Sequence, residues 1–565
     1  MRRLSRIQPW LWGLAFGCIV FAQALYDWEK AGWGDWGQFH HWWEVGRISI
    51  WRWHEWPLFD PHHCGGVSMW GQPQSQHNAP TWWITGLIFG TVAGHKLFIL
   101  LHGVIGFVGM YKLGRRMFGM REVAAALAAV TFAYSGFFAW RAAGGHSTFL
   151  AFNYLPLLYF CWRKTNEDLR YAGGVAGLMA LTLLEGGTYP FPLMFLTLAF
   201  DFVAQLVPPK PQWRVIRTGL ITGTLTLAMG AIRLWPVYLT MSRFPRNTRM
   251  EDQQTWEEVL HSITARAPHD WTWGHRWVWA EYSAHVGWGI VGLSLLGALF
   301  ALKKRGARHL VFGALVFALC AMGNAGPWYP WPLLHELPVF ENFHVPSRFH
   351  VLLIFYLCLL AGLAVERVFG AWTRRTKRRW TRAAIMSLAW FLFLASGAEV
   401  VSNSAIIAGR WDGSPIVGVP EPRFHLVSPV GYLEQYMNYP MRNVGTRACY
   451  DPVPWDISPG LWQGDIPQAR LVPPTAGEVT DWGRTNHTLF AEVHLGEPAR
   501  VIFNQNFDPD WHLSVDQAPG TPTEDMVRLA VELPAGDHRI EARFEPADLP
   551  WSVLTSLGAG LVALL

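Results

Sequence analysis

The sequence is poor in charge. Asp, Glu, Lys and Arg make up only 15% of its 565 residues, whereas ordinary soluble proteins carry about 25%. The charges come in short runs of Arg and Lys between long apolar stretches, and hydrophobic residues make up 51% of the chain. This composition excludes an ordinary soluble protein. It predicts an α-helical polytopic membrane protein, in which each crossing takes about 20 apolar residues.

The sequence also lacks motifs of soluble-nucleotide chemistry. It has no Walker loop and no GxSxG elbow, so neither a cytoplasmic nucleotide site nor a cofactor is predicted. The formal net charge of +5 does not indicate nucleic acid, because the basic residues flank apolar runs instead of covering one soluble face. Nucleic acid is therefore excluded as a partner.

The six cysteines form no CxxC pair and no zinc spacing. Four lie in apolar runs, where a thiol behaves as a small hydrophobe. Cys64 and Cys449 lie outside these runs and could form a disulfide, although nothing in the sequence fixes their distance. The segment after the first apolar run is crowded with histidines, but their spacing matches no familiar set of metal ligands, so no metal is predicted. These histidines are His40, His41, His54, His62, His63 and His77.

Long apolar runs predict about 12 membrane-spanning helices. The first follows Arg2, Arg3 and Arg6; it is expected to stay uncleaved with its N-terminus in the cytoplasm, because no small-x-small site ends it. The run 82–93 is too short to cross and is predicted to be re-entrant or interfacial. The predicted spans cover residues 9–26, 96–113, 123–140, 148–162, 171–188, 191–207, 215–239, 285–302, 309–323, 348–368, 383–401 and 551–565.

The loops between these runs alternate in charge. Loops rich in Arg and Lys face the cytoplasm, and every second loop is of this kind; examples are Arg163 and Lys164, or Lys303 and Lys304. The alternation predicts the orientation of the protein in its membrane, with the N-terminus in the cytoplasm. The outer face would carry loops 27–80, 240–284 and 324–347 of a transmembrane domain (1–401), and the segment 402–550.

Segment 402–550 is predicted to be a soluble domain on the outer face, followed by a last transmembrane helix at 551–565. Its later part alternates apolar and other residues at period two, as in Val527, Leu529, Val531 and Leu533, with turn signals such as Pro519-Gly520. This pattern predicts a small β-sandwich. The earlier part, 402–474, is rich in Pro and Gly, and its pattern assigns no structure.

Ionisable residues at the outer ends of apolar runs are candidate site residues, because charge is costly in lipid. Asp35 lies between Gly34 and Trp36 after the first run. Partial desolvation would raise the pKa of its carboxyl and make it a better base; the alternative is a helix cap. Glu185 ends an apolar run before Gly186, and it either faces a cavity or snorkels to the headgroups.

Four more polar residues lie at predicted outer positions. Glu281 and His285 open an outer helix, where a Glu would also suit the helix dipole. His146 lies in a Gly-rich loop and is either a site residue or simply solvated. Arg348 begins a helix at the outer face; it suits a phosphate, with a lipid headgroup contact as the alternative.

The 34 tryptophans are abundant, and nine lie in the first outer loop (27–80), seven of them between residues 33 and 56. Either they anchor the chain at the membrane interface, or they form a platform on which a sugar ring packs. The seven are Trp33, Trp36, Trp42, Trp43, Trp51, Trp53 and Trp56.

Over nearly its whole length the chain resembles the YfhO family of bacterial membrane proteins, within the GT-C glycosyltransferase superfamily. Gly34-Asp35-Trp36-Gly37-Gln38 is similar to the family's acidic motif in the first loop. The order of the similar blocks along the chain carries the resemblance more than any one block does. The other blocks are 57–61, 65–69, 72–75, 135–137, 145–146, 155–157, 281–287, 337–340, 345–349, 510–511, 515–516 and 533–538.

The resemblance implies a GT-C fold and the transfer of a sugar from a polyprenyl-phosphate-linked donor to a cell-envelope or glycan acceptor on the outer face. The expected catalytic residues are Asp35, Glu185 and Glu281. The expected substrate-binding residues are Gln38, His146, His285 and Arg348. Two alternatives stay open: a flippase for lipid-linked sugars, which needs polar residues deep in several spans, and a non-catalytic scaffold that holds a partner on its β-domain.

Overall fold

In the computed structural model, the chain is mainly helical up to residue 408 and mainly sheet from residue 469 to residue 544. The structure describes residues 4–32, 34–207, 212–246, 248, 252–267, 277–409, 419–429 and 436–564. The helices are α1 (Leu4–Val20), α2 (Ala22–Tyr26), α3 (Trp36–Trp51), α4 (Pro80–Trp82), α5 (Thr91–Arg116), α6 (Glu122–Ala133), α7 (Gly136–Gly144), α8 (Leu155–Lys164), α9 (Tyr171–Leu184), α10 (Pro190–Leu206), α11 (Arg214–Met229), α12 (Ala231–Arg243), α13 (Trp256–Thr264), α14 (Trp279–Tyr282), α15 (Trp288–Lys303), α16 (Arg308–Ala321), α17 (Pro330–His335), α18 (His350–Arg375), α19 (Arg379–Ala408), α20 (Asn438–Arg442) and α21 (Leu549–Leu564).

Among the residues that the structure describes, four helical segments are long and apolar enough to cross a bilayer: Thr91–Arg116, Glu122–Gly144, Pro346–Gly370 and Arg379–Ala408. Counting the bent pair α11–α12 as one span gives a fifth. Shorter apolar helices expose large side chains on the outside of the bundle; Leu295 of α15 is 66% exposed. Such exposed apolar surface is covered by lipid in a membrane protein. The chain is therefore a helical membrane protein with a sheet-rich C-terminal part.

Each predicted span coincides with a helix or with a pair of helices. The number of 12 crossings stays a prediction, because six of the apolar helices have only 10–17 residues. The predicted span 215–239 is not one straight helix, since α11 and α12 meet at 71°. The guanidinium of Arg233 donates to the carbonyl oxygens of Trp70 (3.1 Å) and Ser75 (2.9 Å), which holds α12 against the first outer loop.

The run 82–93 forms a helical hairpin instead of a separate crossing. A π-helix, Trp83–Leu87, follows α4 and folds back against α5. The approach is close, because a Cβ at Gly94 would lie 2.6 Å from the Cα of Gly86. Ile88 at its tip is 67% exposed.

Helix α6 lies at the centre of the bundle, between α5 and α18. Its alanines, including Ala125 and Ala129, are fully buried; alanine favours helix and lets neighbouring helices approach closely. The chain breaks at Ser135 and continues as α7, which carries Gly144 to the end of the bundle where the candidate site lies.

The sheet part consists of two antiparallel sheets that share one core. Within the described residues, the remaining strands form a hairpin in the loop 27–80 and one parallel pair. The strands are β1 (Phe59–Asp60), β2 (Val67–Ser68), β3 (His425–Val427), β4 (Val444–Thr446), β5 (Ala469–Val472), β6 (Gly477–Arg484), β7 (Thr488–Leu495), β8 (Ala499–Asn506), β9 (Trp511–Val515), β10 (Ala518–Gly520), β11 (Thr523–Asp525), β12 (Arg528–Leu533) and β13 (Gly536–Phe544).

The sheet orders are β10-β9-β13-β7-β6 and β11-β12-β8-β5. Alternation places Ile540, Ala542 and Phe544 of β13 in the core with Val501 and Phe503 of β8. The period-two pattern thus correctly predicted a sheet-rich C-terminal part, and its position on the outer face stays a prediction.

The first outer loop and the last helix attach the sheets to the bundle. Phe59 of β1 packs on Trp511 (5.0 Å between ring centroids) and on Phe544 (4.9 Å). Helix α21 packs on α11 and α12, with Trp235 and Trp551 in edge contact at 5.0 Å.

Five tryptophans of the first outer loop fall into two groups that differ in burial. Trp36, Trp42 and Trp43 are fully buried in the bundle core, so they are neither interfacial anchors nor a sugar platform. Trp51 is 61% exposed and Trp56 36% exposed, as interfacial residues are. Trp33 lies outside the described residues.

Candidate active site

Asp35 and His146 meet because two glycine-rich segments cross at the end of α7. Gly145 ends this helix in the left-handed conformation (φ 88°), which favours glycine. A Cβ at Gly145 would lie 2.2 Å from the backbone nitrogen of Trp36, so the approach requires glycine. The backbone N–H of Asp35 donates to the carbonyl of Gly144 (3.3 Å), and His146 Nε2 lies 2.8 Å from Asp35 Oδ2.

Asp35 precedes α3, but its carboxylate makes no capping bond to that helix. Oδ2 accepts from His146, and Oδ1 accepts from the hydroxyl of Tyr450 at 3.1 Å. Burial raises the pKa of Asp35, but His146 and the Tyr450 hydroxyl outweigh burial and hold the pKa below its ordinary value. The raised pKa expected from the sequence is therefore wrong. With its side chain 26% exposed, Asp35 is an ionised and accessible proton acceptor.

His146 links Asp35 to a buried arginine. Nη1 of Arg141 donates to His146 Nδ1 at 2.7 Å. A guanidinium can only donate, so Nδ1 accepts and the ring proton lies on Nε2, which donates to Asp35. His146 is therefore oriented by two partners and is not simply solvated.

Glu281 is the buried centre of the cluster. Arg141 Nη1 donates to its Oε2 at 2.9 Å; Arg348 donates from Nε to Oε2 and from Nη2 to Oε1, both at 3.1 Å. Burial raises the pKa of Glu281, but the charges of Arg141 and Arg348 hold it well below its ordinary value. Helix α14 has only four residues, so the two guanidinium groups, not a helix dipole, stabilise this carboxylate.

Arg348 lies in the 3-10 turn Pro346–Phe349 that leads into α18, and aromatic rings flank its guanidinium. Val345 precedes it with φ 105°, a left-handed conformation that is rare for a β-branched residue. The guanidinium lies over the rings of Tyr189 (4.2 Å) and Phe149 (4.9 Å), as in cation–π pairs. Nε and Nη2 make the hydrogen bonds to Glu281, whereas Nη1 makes none to that carboxylate.

Glu185 belongs to a separate cluster. It is fully buried; Oε1 accepts from Thr81 Oγ1 and from the Tyr154 hydroxyl, both at 2.6 Å, and Oε2 lies 3.0 Å from His102 Nε2. Glu185 therefore does not contact the cluster around Asp35, and its catalytic role stays a prediction. Its carboxylate ties α4 and α5 to the end of α9.

Gln38 and His285 contact the protein's own backbone. The Gln38 side chain, 4% exposed, donates to the carbonyl of Tyr450. His285 is fully buried, and its Nδ1 donates to the carbonyl of Ala265 at 2.9 Å. In these contacts the two side chains support segments next to the site, and direct substrate binding by Gln38 and His285 stays a prediction.

The histidine-rich loop brings possible metal donors together. Atoms of His41, Asp60 and His63 lie within 4.8 Å of one another, all buried. His41 Nε2 and Asp60 Oδ2 already face each other at 2.7 Å. Burial raises the pKa of Asp60, but His41 outweighs it and lowers the pKa to about 2; the same pairing raises the pKa of His41 despite its burial. A buried ion pair accounts for this geometry.

Cys64 and Cys449 form a disulfide, which confirms the pairing that the sequence left open. It joins the first outer loop to the segment before the sheets.

The sequence did not single out Arg141, Tyr189 or Tyr450. Arg141 carried a usable signal, because it directly follows the predicted span 123–140 and a cation there needs a partner. Tyr189 and Tyr450 carried none, since an outer-loop tyrosine is ordinary.

Comparison with known proteins gives distant structural similarity only. No family model matches the chain, and no curated protein matches it. Arabinofuranosyltransferase AftD from Mycobacteria is similar at 14% identity and TM-score 0.47, over 72% of this chain and 27% of that one. The Archaeoglobus fulgidus oligosaccharyltransferase in the apo form gives 12% and 0.46, over 80% and 65%. ArnT from Cupriavidus metallidurans bound to undecaprenyl phosphate gives 12% and 0.46, over 92% and 97%.

The chain spans about a quarter of AftD and about two thirds of the oligosaccharyltransferase. Identities of 12–14% and TM-scores below 0.5 are too low to transfer an activity to this chain.

Proposed function

We propose that this protein is a GT-C-type membrane glycosyltransferase, similar to the YfhO family. It transfers a sugar from a polyprenyl-phosphate-linked donor to an acceptor hydroxyl at the outer face of the bacterial cytoplasmic membrane. Asp35 is the general base. His146, Arg141, Glu281 and the cation Arg348 together orient it.

One observation carries this proposal. An accessible, ionised Asp35 lies next to a buried Arg–Glu–Arg cluster at the start of an apolar helix long enough to span the bilayer. The end of a membrane-spanning helix lies at the depth of the lipid headgroups, which is where a lipid phosphate lies. A lipid-linked donor also agrees with the absence of a Walker loop from the sequence.

The reaction balances with these groups. The acceptor hydroxyl loses its proton to Asp35 as its oxygen bonds to the anomeric carbon. The bond from that carbon to the phosphate oxygen breaks, and polyprenyl phosphate leaves. Nη1 of Arg348 would stabilise the charge that develops on the phosphate, and holding both substrates in one site contributes through proximity.

The sidedness rests on charge and on the disulfide. Loops rich in Arg and Lys alternate along the chain as cytoplasmic loops do, which leaves Asp35, Glu281 and Arg348 on the opposite face. A disulfide between Cys64 and Cys449 agrees with an oxidising compartment. The sheet part would then lie outside the membrane.

The test uses purified protein in nanodiscs with undecaprenyl phosphate esters of ¹⁴C-labelled arabinose, glucose, galactose and mannose. Water and an octyl glycoside serve as acceptors. We expect turnover of at least one donor, and Asp35→Asn should lower kcat about 10²- to 10⁴-fold, as loss of a general base does.

Asp27→Asn is the matched control, since Asp27 lies in the same loop and pairs with Lys30 at 3.0 Å; it should keep wild-type kcat. Equal turnover by Asp35→Asn would remove Asp35 from its role. Movement of labelled lipid across vesicles without a new glycosidic bond would favour the flippase.

A further inference from the structure

A segment from the C-terminal half lies along the first outer loop. Thr446 N–H donates to the carbonyl of His62 (3.1 Å), Gly65 N–H to the carbonyl of Thr446 (2.8 Å), and Cys64 N–H to the carbonyl of Ala448 (3.1 Å). The Cys64–Cys449 disulfide follows directly and spans 385 residues of sequence. Residues 446–449 are therefore fixed to the first loop by both hydrogen bonds and a covalent bond.

The next residue, Tyr450, reaches the candidate site and is fixed at three points. Its backbone N–H donates to His63 Nε2 (3.3 Å), its carbonyl accepts from the Gln38 amide, and its hydroxyl donates to Asp35 Oδ1 (3.1 Å). Gln38 lies one turn of α3 beyond Asp35. The backbone of Tyr450 is thus held by the same short stretch of chain that carries Asp35.

We propose that Tyr450 is a positioning residue for Asp35, held in place by the Cys64–Cys449 disulfide. This inference rests on the proposed function, in which Asp35 removes the acceptor proton. The Tyr450 hydroxyl bonds to one carboxylate oxygen and His146 to the other, so the carboxylate is held in one orientation and kept ionised, while its remaining lone pairs can take the acceptor proton.

The charges around Asp35 determine how its pKa changes when the Tyr450 hydroxyl is removed. Burial raises the pKa of Asp35; His146 and the Tyr450 hydroxyl lower it, and the nearby charge of Glu281 raises it again. Arg141 and Arg348 also lie close enough to interact with Asp35, and Arg246 faces Tyr450. Losing the tyrosine hydroxyl removes one of the groups that keep the carboxylate ionised, so the pKa of Asp35 should rise.

The kinetic test is the pH profile of Tyr450→Phe, with the undecaprenyl phosphate donors named above. A base must be ionised, so activity falls as the pH drops through the pKa of Asp35. We expect the acid limb of kcat/KM to move to higher pH, with a loss of about threefold or less on the plateau. Tyr436→Phe is the matched control: its ring lies 5.6 Å from that of His63, and its profile should match the wild type.

The disulfide is tested by a double-mutant cycle. Cys449→Ser should shift the acid limb in the same direction as Tyr450→Phe, and the double variant should show no further shift, because both changes remove one interaction. Dithiothreitol should likewise shift the wild type and leave Tyr450→Phe unchanged. Additive shifts in the cycle would overturn the link between the disulfide and Tyr450.

A second measurement does not require activity. Water-soluble carbodiimide with an amine modifies protonated carboxyl groups, and mass spectrometry follows Asp35 at pH 5 in the folded nanodisc protein. The Tyr450 hydrogen bond favours the ionised form of Asp35, and water competes for the partly exposed carboxylate, which moderates the effect. Labelling of Asp35 in Tyr450→Phe should therefore be about three- to tenfold faster than in the wild type or in Tyr436→Phe.

The two measurements distinguish a failure of the proposed glycosyltransferase function from a failure of the proposed role of Tyr450. Faster labelling without any turnover of donor by the wild type would support the Tyr450–Asp35 pairing and overturn the glycosyltransferase. Turnover that depends on Asp35, with an unchanged acid limb and unchanged labelling in Tyr450→Phe, would overturn the role of Tyr450 alone.

Discussion

Glu281 and Glu185 are both buried glutamates, but their partners are of opposite kinds. Glu281 faces the guanidinium groups of Arg141 and Arg348. Glu185 faces two hydroxyls and one histidine. His102 Nδ1 donates to the carbonyl of Phe98 (2.8 Å), which fixes the ring with its Nε2 toward Glu185.

This difference in partners indicates which of the two buried carboxylates belongs to a charged site. Two cations, Arg141 and Arg348, lie beside Glu281, and their other nearby anion is Asp35. Glu281 must therefore be ionised to balance the two positive charges. Glu185 needs only acceptor atoms for its neighbours. A change of Glu to Gln should therefore lower stability strongly at position 281 and hardly at all at position 185.

The largest effect is expected for Glu281→Gln. An amide cannot neutralise two buried guanidinium groups, so we expect a loss of about 3–5 kcal/mol in the free energy of unfolding, together with loss of transferase activity. Thermal unfolding in detergent micelles measures the first effect. Glu399→Gln is the control, because Glu399 pairs with an Arg266 that is 68% exposed; it should change stability by about 0.5 kcal/mol or less.

Glu185→Ala should come next, with a loss of about 2–4 kcal/mol, because it leaves Thr81, Tyr154 and His102 without their acceptor in the bundle. Activity per folded molecule, measured after size-exclusion chromatography, should stay within about threefold of the wild type. A loss of activity as large as that of Asp35→Asn would make Glu185 catalytic after all and break the comparison.

Asp60 gives an intermediate case, a buried carboxylate in the outer loop with one charged partner. Its pKa is lowered from 3.8 to about 2, so its stabilisation is complete above pH 3.8 and is lost as the pH falls toward 2. The pKa of His41 is raised above 6.5, so its part is complete below pH 6.5 and is lost as the pH rises through the raised value.

The gap in melting temperature between the wild type and Asp60→Asn should therefore be widest between about pH 4 and pH 6.5. Scanning fluorimetry across pH 3 to pH 9 measures it, and the gap should amount to a few degrees. A gap that does not vary with pH would contradict the ion pair.

The smallest effect is expected for Glu185→Gln. The amide oxygen can accept from Thr81 and Tyr154 while the amide N–H donates to His102 Nε2, so every bond is kept. We expect a change below about 1 kcal/mol in the free energy of unfolding. A loss as large as that of Glu281→Gln would show that Glu185 carries a charge its surroundings require.

The sequence was sufficient for the elements that depend on local pattern. Long apolar runs predicted the helices, and the alternation in residues 527–533 predicted a strand of the sandwich. Ionisable groups at the ends of apolar runs also led to Asp35, Glu281 and Arg348, and the family resemblance led to His146. These four side chains do lie together.

What the sequence could not provide depends on contacts between distant segments. Nothing local distinguishes Glu185 from Glu281, since the difference lies in Thr81, His102 and Arg141. Tyr450 lies 415 residues from Asp35. The bend between α11 and α12 also escaped prediction, although Arg233 within that apolar run was a signal that the helix turns toward polar backbone.

The Cys64–Cys449 bond makes one covalent ring of most of the helical bundle. A protease that cuts the chain once anywhere between these two cysteines would leave both pieces joined. On a denaturing gel, the nicked protein would run as one band until a reductant is added, and then as two. Integrity judged only under non-reducing conditions would therefore miss such damage.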